Sequence, residues 1–195
     1  MKNNVLVTGS LAYDFIMDYP RTFEENIIPD KLKTLSLSFL VENFSKNFGG
    51  VSGNIAYNLS LLNTHATILA AAGEKDFALY RLHLEKNDID TSAIKEVRDE
   101  FTANMFLMTD RTNCQIAGFY PGAMREDNSL DISSKLARQS AFIIVAPTMP
   151  DAMEHFVKKA KSASIPYLFD PAQQLPGLTR KQIIDGVTGA EIVIG

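Results

Sequence analysis

Short apolar runs alternate along this chain with segments whose apolar residues recur at helical spacing. Residues 142–146 form a continuous apolar run, which is typical of a parallel strand covered on both faces. Ile55, Leu59 and Leu62 share one face of a predicted helix. Because strand and helix alternate in this way, the sequence predicts an α/β fold with a mostly parallel sheet.

Two segments depart from that alternation. Residues 32–41 and 101–120 are strand-rich and half polar, and neither contains a helix that would cross over a sheet. In the first segment, Leu35, Leu37 and Phe39 alternate with small polar residues, as they do in a strand with one wet face. We therefore predict a small antiparallel sheet set apart from the main body, in the position of a lid.

Composition excludes several classes of function. The chain has 195 residues and a net charge of -4, whereas a nucleic-acid or anionic-membrane binder is expected to be basic. No stretch approaches the roughly 20 apolar residues that a membrane span needs. Cys114 is the single cysteine, so no disulfide can form within the chain, and a reducing, cytoplasmic compartment is expected.

A glycine-rich segment, Asn47-Phe48-Gly49-Gly50-Val51-Ser52-Gly53-Asn54, precedes the first predicted helix. Paired glycines let a backbone approach a ligand closely, and a helix N-terminus offers free N–H groups. Asn54 can donate and accept hydrogen bonds, which suits a sugar or a ribose. The alternative is a tight turn into an ordinary helix. The segment has neither the lysine of a P-loop nor Gly-x-Gly-x-x-Gly, and the second absence argues against a Rossmann-type oxidoreductase.

Asp14 follows the first predicted strand. Ligands of open α/β sheets bind outside the carboxyl ends of the strands, where a carboxylate could bind two hydroxyls at once. The alternative is a solvated loop aspartate. The three histidines are not at metal-ligand spacing, so we assign no metal ligand.

Taken in order, these segments resemble the PfkB-type carbohydrate kinase family, the relatives of ribokinase and adenosine kinase. The resemblance is carried by Gly9-Ser10 with Asp14, Gly49-Gly50-x-x-x-Asn54-x-Ala56, Ala71-Ala72-Gly73-Glu74, Asn87-Asp88-Ile89-Asp90-Thr91-Ser92, Pro121-Gly122-Ala123-Met124 and Asp170-Pro171-Ala172. It implies a ribokinase-like three-layer α/β/α sandwich with a small β-sheet lid. Residues 1–195 would be the N-terminal part of one such domain, and residues 32–41 and 101–120 would be its lid strands.

The resemblance also implies an activity, namely phosphoryl transfer from ATP with Mg2+ to a hydroxymethyl group of a sugar or nucleoside. By their positions in the motifs, Asp14, Gly49, Gly50 and Asn54 would bind the acceptor's hydroxyls. The lid residues Asn104 and Phe119 would touch its base or sugar. The implied partner is a small molecule, and two copies could pair through their lids.

The sequence departs from the family pattern at three places. Relatives often carry a polar or acidic group on a strand after residue 140, where this chain has Val145-Ala146-Pro147-Thr148. Ala12 stands where the family often has an asparagine, two residues before the aspartate. The catalytic Gly-Ala-Gly-Asp segment is missing, since Thr188-Gly189-Ala190-Glu191 lacks its second glycine and its aspartate. We therefore expect the general base beyond Gly195, in a longer kinase, and no turnover from these residues alone. The alternative is a non-catalytic ligand-binding or interaction module of the same fold.

Overall fold

The structure is a computed structural model that describes residues 4–195. In chain order its regular elements are β1 (Asn4–Thr8), β2 (Ala12–Asp18), β3 (Asn43–Gly49), α1 (Val51–Leu61), β4 (His65–Leu69), β5 (Ala71–Gly73), α2 (Phe77–Lys86), β6 (Lys95–Val97), β7 (Ala103–Thr109), β8 (Gln115–Tyr120), α3 (Ser134–Gln139), β9 (Ser140–Val145), α4 (Pro150–Ser162), β10 (Tyr167–Phe169), α5 (Arg180–Val187) and β11 (Ile192–Val193). Short 3-10 helices occupy Phe23–Glu25, Pro29–Thr34, Gly122–Ser129 and Ala172–Gln174.

The main sheet has five parallel strands in the order β11-β10-β9-β1-β4. Successive side chains of each strand point to opposite faces, so a continuous apolar strand supplies two cores. Leu6 and Ile143 pack with helices α3, α4 and α5, whereas Val7 and Ile144 pack with α1 and α2. The predicted three-layer α/β/α sandwich is therefore confirmed.

A second sheet lies beside the sandwich, with four strands in the order β3-β2-β7-β8. Strands β2 and β7 run parallel at its centre, and the edge strands β3 and β8 pair antiparallel with them. The sheet is therefore mixed, not antiparallel as the sequence predicted. The sheet contains the hairpin from residues 101–120, which turns at Asp110. The carboxylate of Asp110 accepts hydrogen bonds from the backbone N–H groups of Phe23, Thr112 and Cys114. It thereby links the hairpin turn to the connection that follows β2. We call these four strands the lid sheet.

The predicted strand over residues 32–41 is wrong. Pro29–Thr34 is a 3-10 helix, and no strand follows it before β3 begins at Asn43. Of the alternating apolar side chains, Leu35 and Leu37 remain exposed, whereas Phe39 packs on the rings of Tyr19 and Phe23. The position beside β2 is already taken by β3, which pairs with it along seven residues. The alternation of apolar residues does not indicate which of two segments pairs with β2.

Candidate functional site

Asp14 lies inside strand β2, not in a loop after β1 as the sequence suggested. It is paired with Asn47 of β3 on one side and with Met105 of β7 on the other. Because side chains alternate along a strand, Asp14 projects from the face of the lid sheet opposite to Tyr13 and Phe15. We call the face that carries Asp14 the inner face, and the face that carries Phe15 the outer face.

The Asp14 carboxylate sits directly above the backbone of Gly49. A methyl group built on Gly49 would overlap the carboxylate oxygens, so only glycine leaves room for the acid in this place. Asp14 is half-buried, and burial raises the pKa of its carboxyl above the ordinary value. Within residues 4–195 no charged group lowers this pKa again, and the carboxylate can accept hydrogen bonds from a ligand.

Gly50 turns the chain from β3 into helix α1. Its φ of 82° lies in the left-handed region, and a side chain there would overlap the backbone of residues 10–12. Ser10 holds the start of the helix, because its hydroxyl accepts the Val51 N–H and its carbonyl accepts the Ser52 N–H. Asn54 follows on the first turn with an exposed side chain. The structure thus brings Asp14, Gly49, Gly50 and Asn54 to one place, where β2, β3 and α1 meet.

One row of side chains crosses the inner face. Asn47, Asp14, Met105 and Phe119 are register partners on β3, β2, β7 and β8. Phe119 is two strands away from Asp14, a separation of about 10 Å at the usual strand spacing. Its ring is 46% exposed. An aromatic ring and a carboxylate therefore face the same side of the lid sheet with Met105 between them.

Asn104 does not join that row. It precedes Met105 in β7, so it projects from the outer face, where it is buried and donates its amide N–H to the Thr102 carbonyl at 2.7 Å. Asn104 and Phe119 therefore lie on opposite faces of the lid sheet, so a ligand on the inner face would meet the ring of Phe119 and not the Asn104 amide. Asn104 instead borders a cavity of about 510 Å³ on the outer face, lined by Phe15, Lys46, Asp76, Phe101, Asn104, Phe106 and Tyr120.

Two further carboxyl groups lie near the carboxyl ends of the main-sheet strands. Asp170 follows β10, and its Oδ1 is buried without a hydrogen-bond partner. Burial raises its pKa. Asp127 is almost fully buried and accepts hydrogen bonds from the Ala71 N–H and the Thr148 hydroxyl. Burial raises the pKa of Asp127 to about 7. Sequence reasoning missed Asp127, because its partners lie 56 and 21 residues away along the chain.

The described residues do not form a metal site by themselves. Between residues 4 and 195, no three His, Cys, Asp or Glu side chains come together as metal ligands. Asp170, with its unpartnered carboxylate oxygen, is the described residue whose chemistry best fits one contact to a Mg2+–nucleotide. Within the same residues no helix combines the length and apolar character that crossing a bilayer requires.

A model of the pfkB family carbohydrate kinases matches residues 2–195. The chain belongs to this family. A nucleoside kinase of Methanothermobacter thermautotrophicus is 26% identical over 193 residues, which make up 98% of this chain and 59% of that protein. The family membership confirms the resemblance drawn from the glycine-rich and aspartate motifs.

Solved structures extend the comparison. Burkholderia thailandensis nucleoside kinase in complex with inosine matches with a TM-score of 0.82 and 31% identity, and its complex with ADP-inosine with 0.78. The match with inosine covers 97% of this chain and 59% of that one. Methanocaldococcus jannaschii nucleoside kinase, an archaeal member of the ribokinase family, matches with 0.84 at 22% identity and so shows the fold alone. The chain spans about three fifths of the length of these relatives.

Proposed function

We propose that the inner face of the lid sheet binds a nucleoside for ATP-dependent phosphorylation of its hydroxymethyl group. Asp14 would accept hydrogen bonds from the ribose hydroxyls, and Gly49, Gly50 and Asn54 would line the same subsite. Phe119 would stack on the base. The observation that carries this proposal is the row across the inner face, which presents a carboxylate and an aromatic ring about 10 Å apart on the same side.

That spacing favours a nucleoside over a free sugar. A ribose bound at Asp14 needs no aromatic surface two strands away, whereas a base attached to the ribose extends toward Met105 and Phe119. Stacking of a base on an aromatic ring contributes about 1–3 kcal/mol. The inosine and ADP-inosine complexes of the Burkholderia relative support the same substrate class.

In this proposal the described residues bind and orient, and the catalytic base stays a prediction beyond Gly195. ATP would supply the phosphoryl group, and Mg2+ would neutralise its developing charge. Asp170 is the residue that we assign to the nucleotide side. Closing the lid sheet over the acceptor would exclude water, which would otherwise compete with the acceptor hydroxyl. A cytoplasmic location remains a prediction from the single cysteine.

The test is a titration of inosine and of ribose into the wild-type chain and into Asp14→Asn, followed by ligand-observed NMR. Asp18→Asn is the matched control, because Asp18 lies on the same strand and face but is exposed four residues farther along. A hydrogen bond to a charged group is worth about 1.5–3 kcal/mol, so Asp14→Asn should weaken inosine binding roughly tenfold to hundredfold. Equal affinities for the two variants would contradict the proposal.

Turnover separates the enzyme from the non-catalytic binding module. We expect the 195 residues to bind inosine weakly and to release no ADP from ATP. Robust ADP formation by this chain would show that the base lies within residues 1–195. Inosine binding by a longer chain that carries Gly-Ala-Gly-Asp but shows no turnover would favour the binding module.

The outer face of the lid sheet is the surface that we propose for a second copy. Phe44, Phe106 and Ile116 are exposed there, and Phe44 is 64% accessible. Apolar patches of this kind commonly mark protein interfaces. Light scattering over a range of concentrations should show a dimer, and Phe44→Glu should shift it to a monomer. A wild-type chain that stays monomeric at all concentrations would exclude this interface.

A further inference from the structure

Tyr80 contacts the backbone of the proposed acceptor site from the side opposite to Asp14. It lies on helix α2 and is 1% exposed. Its hydroxyl donates a hydrogen bond to the carbonyl of Gly49 at 2.6 Å. Gly49 is the residue over which the Asp14 carboxylate lies. Tyr80 is therefore one residue removed from the proposed ligand, although its ring never reaches the inner face.

The ring of Tyr80 is held firmly in this position. It stacks on Phe48 at 4.7 Å between ring centres and contacts the rings of Tyr13 and Phe77 at 5.6 and 6.1 Å. Burial and the negative charge of Asp14 raise the pKa of the Tyr80 hydroxyl above its ordinary value. The hydroxyl thus keeps its proton over the usual pH range and remains a donor.

Helix α1 makes room for this hydroxyl. Gly53 lies within the helix, where glycine is less favourable than alanine. A methyl group built on Gly53 would overlap the Tyr80 hydroxyl oxygen. In the glycine-rich segment, Gly49 thus leaves room for the Asp14 carboxylate and Gly53 leaves room for the Tyr80 hydroxyl.

The hydrogen bond fixes the direction of a peptide group. The peptide between Gly49 and Gly50 is trans and planar, so its N–H points opposite to its carbonyl. Tyr80 contacts the sheet on the side of Tyr13 and Phe48, which belong to the outer face, whereas Asp14 lies on the inner face. With its carbonyl held by Tyr80, this peptide directs the Gly50 N–H away from Tyr80. Two adjacent glycines lack side chains that could hold the peptide otherwise.

We propose that Tyr80 is a positioning residue of the acceptor site: through the Gly49 carbonyl it sets the peptide that follows Gly49, the glycine over which the Asp14 carboxylate lies. The role in binding rests on the proposed function. The peptide orientation rests on the hydrogen bond alone, so the two can be tested separately.

The test compares Tyr80→Phe with Tyr13→Phe. Tyr13 is the matched control, because it is 2% exposed and its hydroxyl donates to the Asp76 carbonyl at 2.7 Å, away from the glycine pair. Each variant loses one buried hydroxyl and one hydrogen bond to a carbonyl. The readouts are the inosine dissociation constant, the amide NMR signal of Gly50 and the carboxyl-carbon titration of Asp14.

We expect Tyr80→Phe to weaken inosine binding by about tenfold, because the Gly49–Gly50 peptide then no longer holds the Asp14 carboxylate in its binding geometry. It should also shift the Gly50 amide signal and the Asp14 titration. Tyr13→Phe should change the affinity less than twofold and leave both signals in place. Equal changes in the two variants, or no change in Tyr80→Phe, would overturn the proposal.

Gly53→Ala provides a second variant that keeps the tyrosine. The added methyl group displaces the hydroxyl, so it should shift the same Gly50 and Asp14 signals even if Tyr80→Phe folds poorly. Unchanged signals in Gly53→Ala would count against the positioning role. A wild-type chain that binds no inosine would refute the proposed function, and the Gly50 and Asp14 signals of the variants would still decide whether Tyr80 sets the peptide.

Discussion

The two faces of the lid sheet are built by the same four strands and differ in character. On the inner face, Asp14 and Asn47 stand beside Met105 and Phe119. On the outer face, Phe15 stacks on Phe44 and Phe106, with ring centres 6.0 and 4.9 Å apart. Residues that are neighbours in sequence thus belong to different surfaces, one suited to a polar ligand with a ring and the other to apolar packing.

The difference between the faces shows that strand register, as much as composition, determines which side chains lie beside Asp14. Phe106 and Phe119 are equally exposed, at 46%, and lie on adjacent strands. Only Phe119 shares a face with Asp14. A slip of one residue in β2 would move the carboxylate to the outer face and leave the glycine pair without its acid.

We expect the largest loss of inosine affinity from a substitution at Gly49, where the Asp14 carboxylate lies against the backbone. Gly49→Ala places a methyl group where the Asp14 carboxylate lies, and overpacking of this kind costs about 1–3 kcal/mol. We expect inosine affinity to fall roughly tenfold to hundredfold in a titration. Gly118→Ala is the control, since a methyl group on Gly118 meets nothing within 4 Å. Unchanged inosine affinity in Gly49→Ala would contradict the assignment of the ligand to the inner face.

A second prediction concerns the stability of the fold and rests on the buried Asp127. Burial raises the pKa of Asp127 to about 7, far above its value in an unfolded chain. The folded state therefore binds the proton more tightly. The stability that this provides is complete below the unfolded pKa, near 4, and is lost as the pH rises through about 7.

The measurement is chemical unfolding between pH 4 and pH 8. One such group contributes a slope of at most about 1.4 kcal/mol per pH unit. Wild type should lose stability relative to Asp127→Asn as the pH rises. A constant difference between the two chains would show that Asp127 is ionised in the folded state from pH 4 upward.

A third prediction compares the two phenylalanines directly. Phe119→Ala should weaken inosine binding about tenfold, because the base loses its stacking partner, and should leave ribose binding unchanged. Phe106→Ala removes an equally exposed ring from the outer face and should change neither affinity. The measurement is a pair of titrations for each variant. A Phe119→Ala chain that loses ribose as well as inosine would point to general damage.

The smallest effect concerns the charge of Asp14. Its carboxyl pKa is raised by burial, so on acidification it takes up a proton at a higher pH than an exposed aspartate does. Inosine affinity should therefore fall severalfold on acidification, the opposite sign to the pH dependence of folding through Asp127. Titrations at several pH values measure this. A pH profile that Asp14→Asn shares with wild type would exclude Asp14 as its source.

Much of the fold could be predicted from the sequence, because a buried parallel strand has to be apolar on both faces. Residues 142–146 show this directly. Strand β2 was not predicted, since Ala12–Asp18 mixes acidic and apolar residues and faces two different surfaces. Residues 32–41 carried a strand-like alternation without a strand beside which they could pair. Local pattern predicts what a segment could form, and the neighbouring strands decide whether it does.

The candidate site could be predicted only where its residues lie in local sequence motifs. Asp14, Gly49, Gly50 and Asn54 lie in motifs, and the fold brings them together. The faces of Asn104 and Phe119 depend on the register of three strands, which no single segment contains. The contact of Tyr80 with Gly49 spans 31 residues and joins a helix to a strand end. Such contacts follow from packing and leave no local signal.

The most direct test of the inner-face assignment is to detect nuclear Overhauser effects between inosine and the aromatic rings of the lid sheet. Our assignment predicts contacts from the base protons of inosine to the ring of Phe119, and none to the ring of Phe106. Contacts to Phe106 or Tyr120 instead would place the ligand in the outer cavity and contradict it.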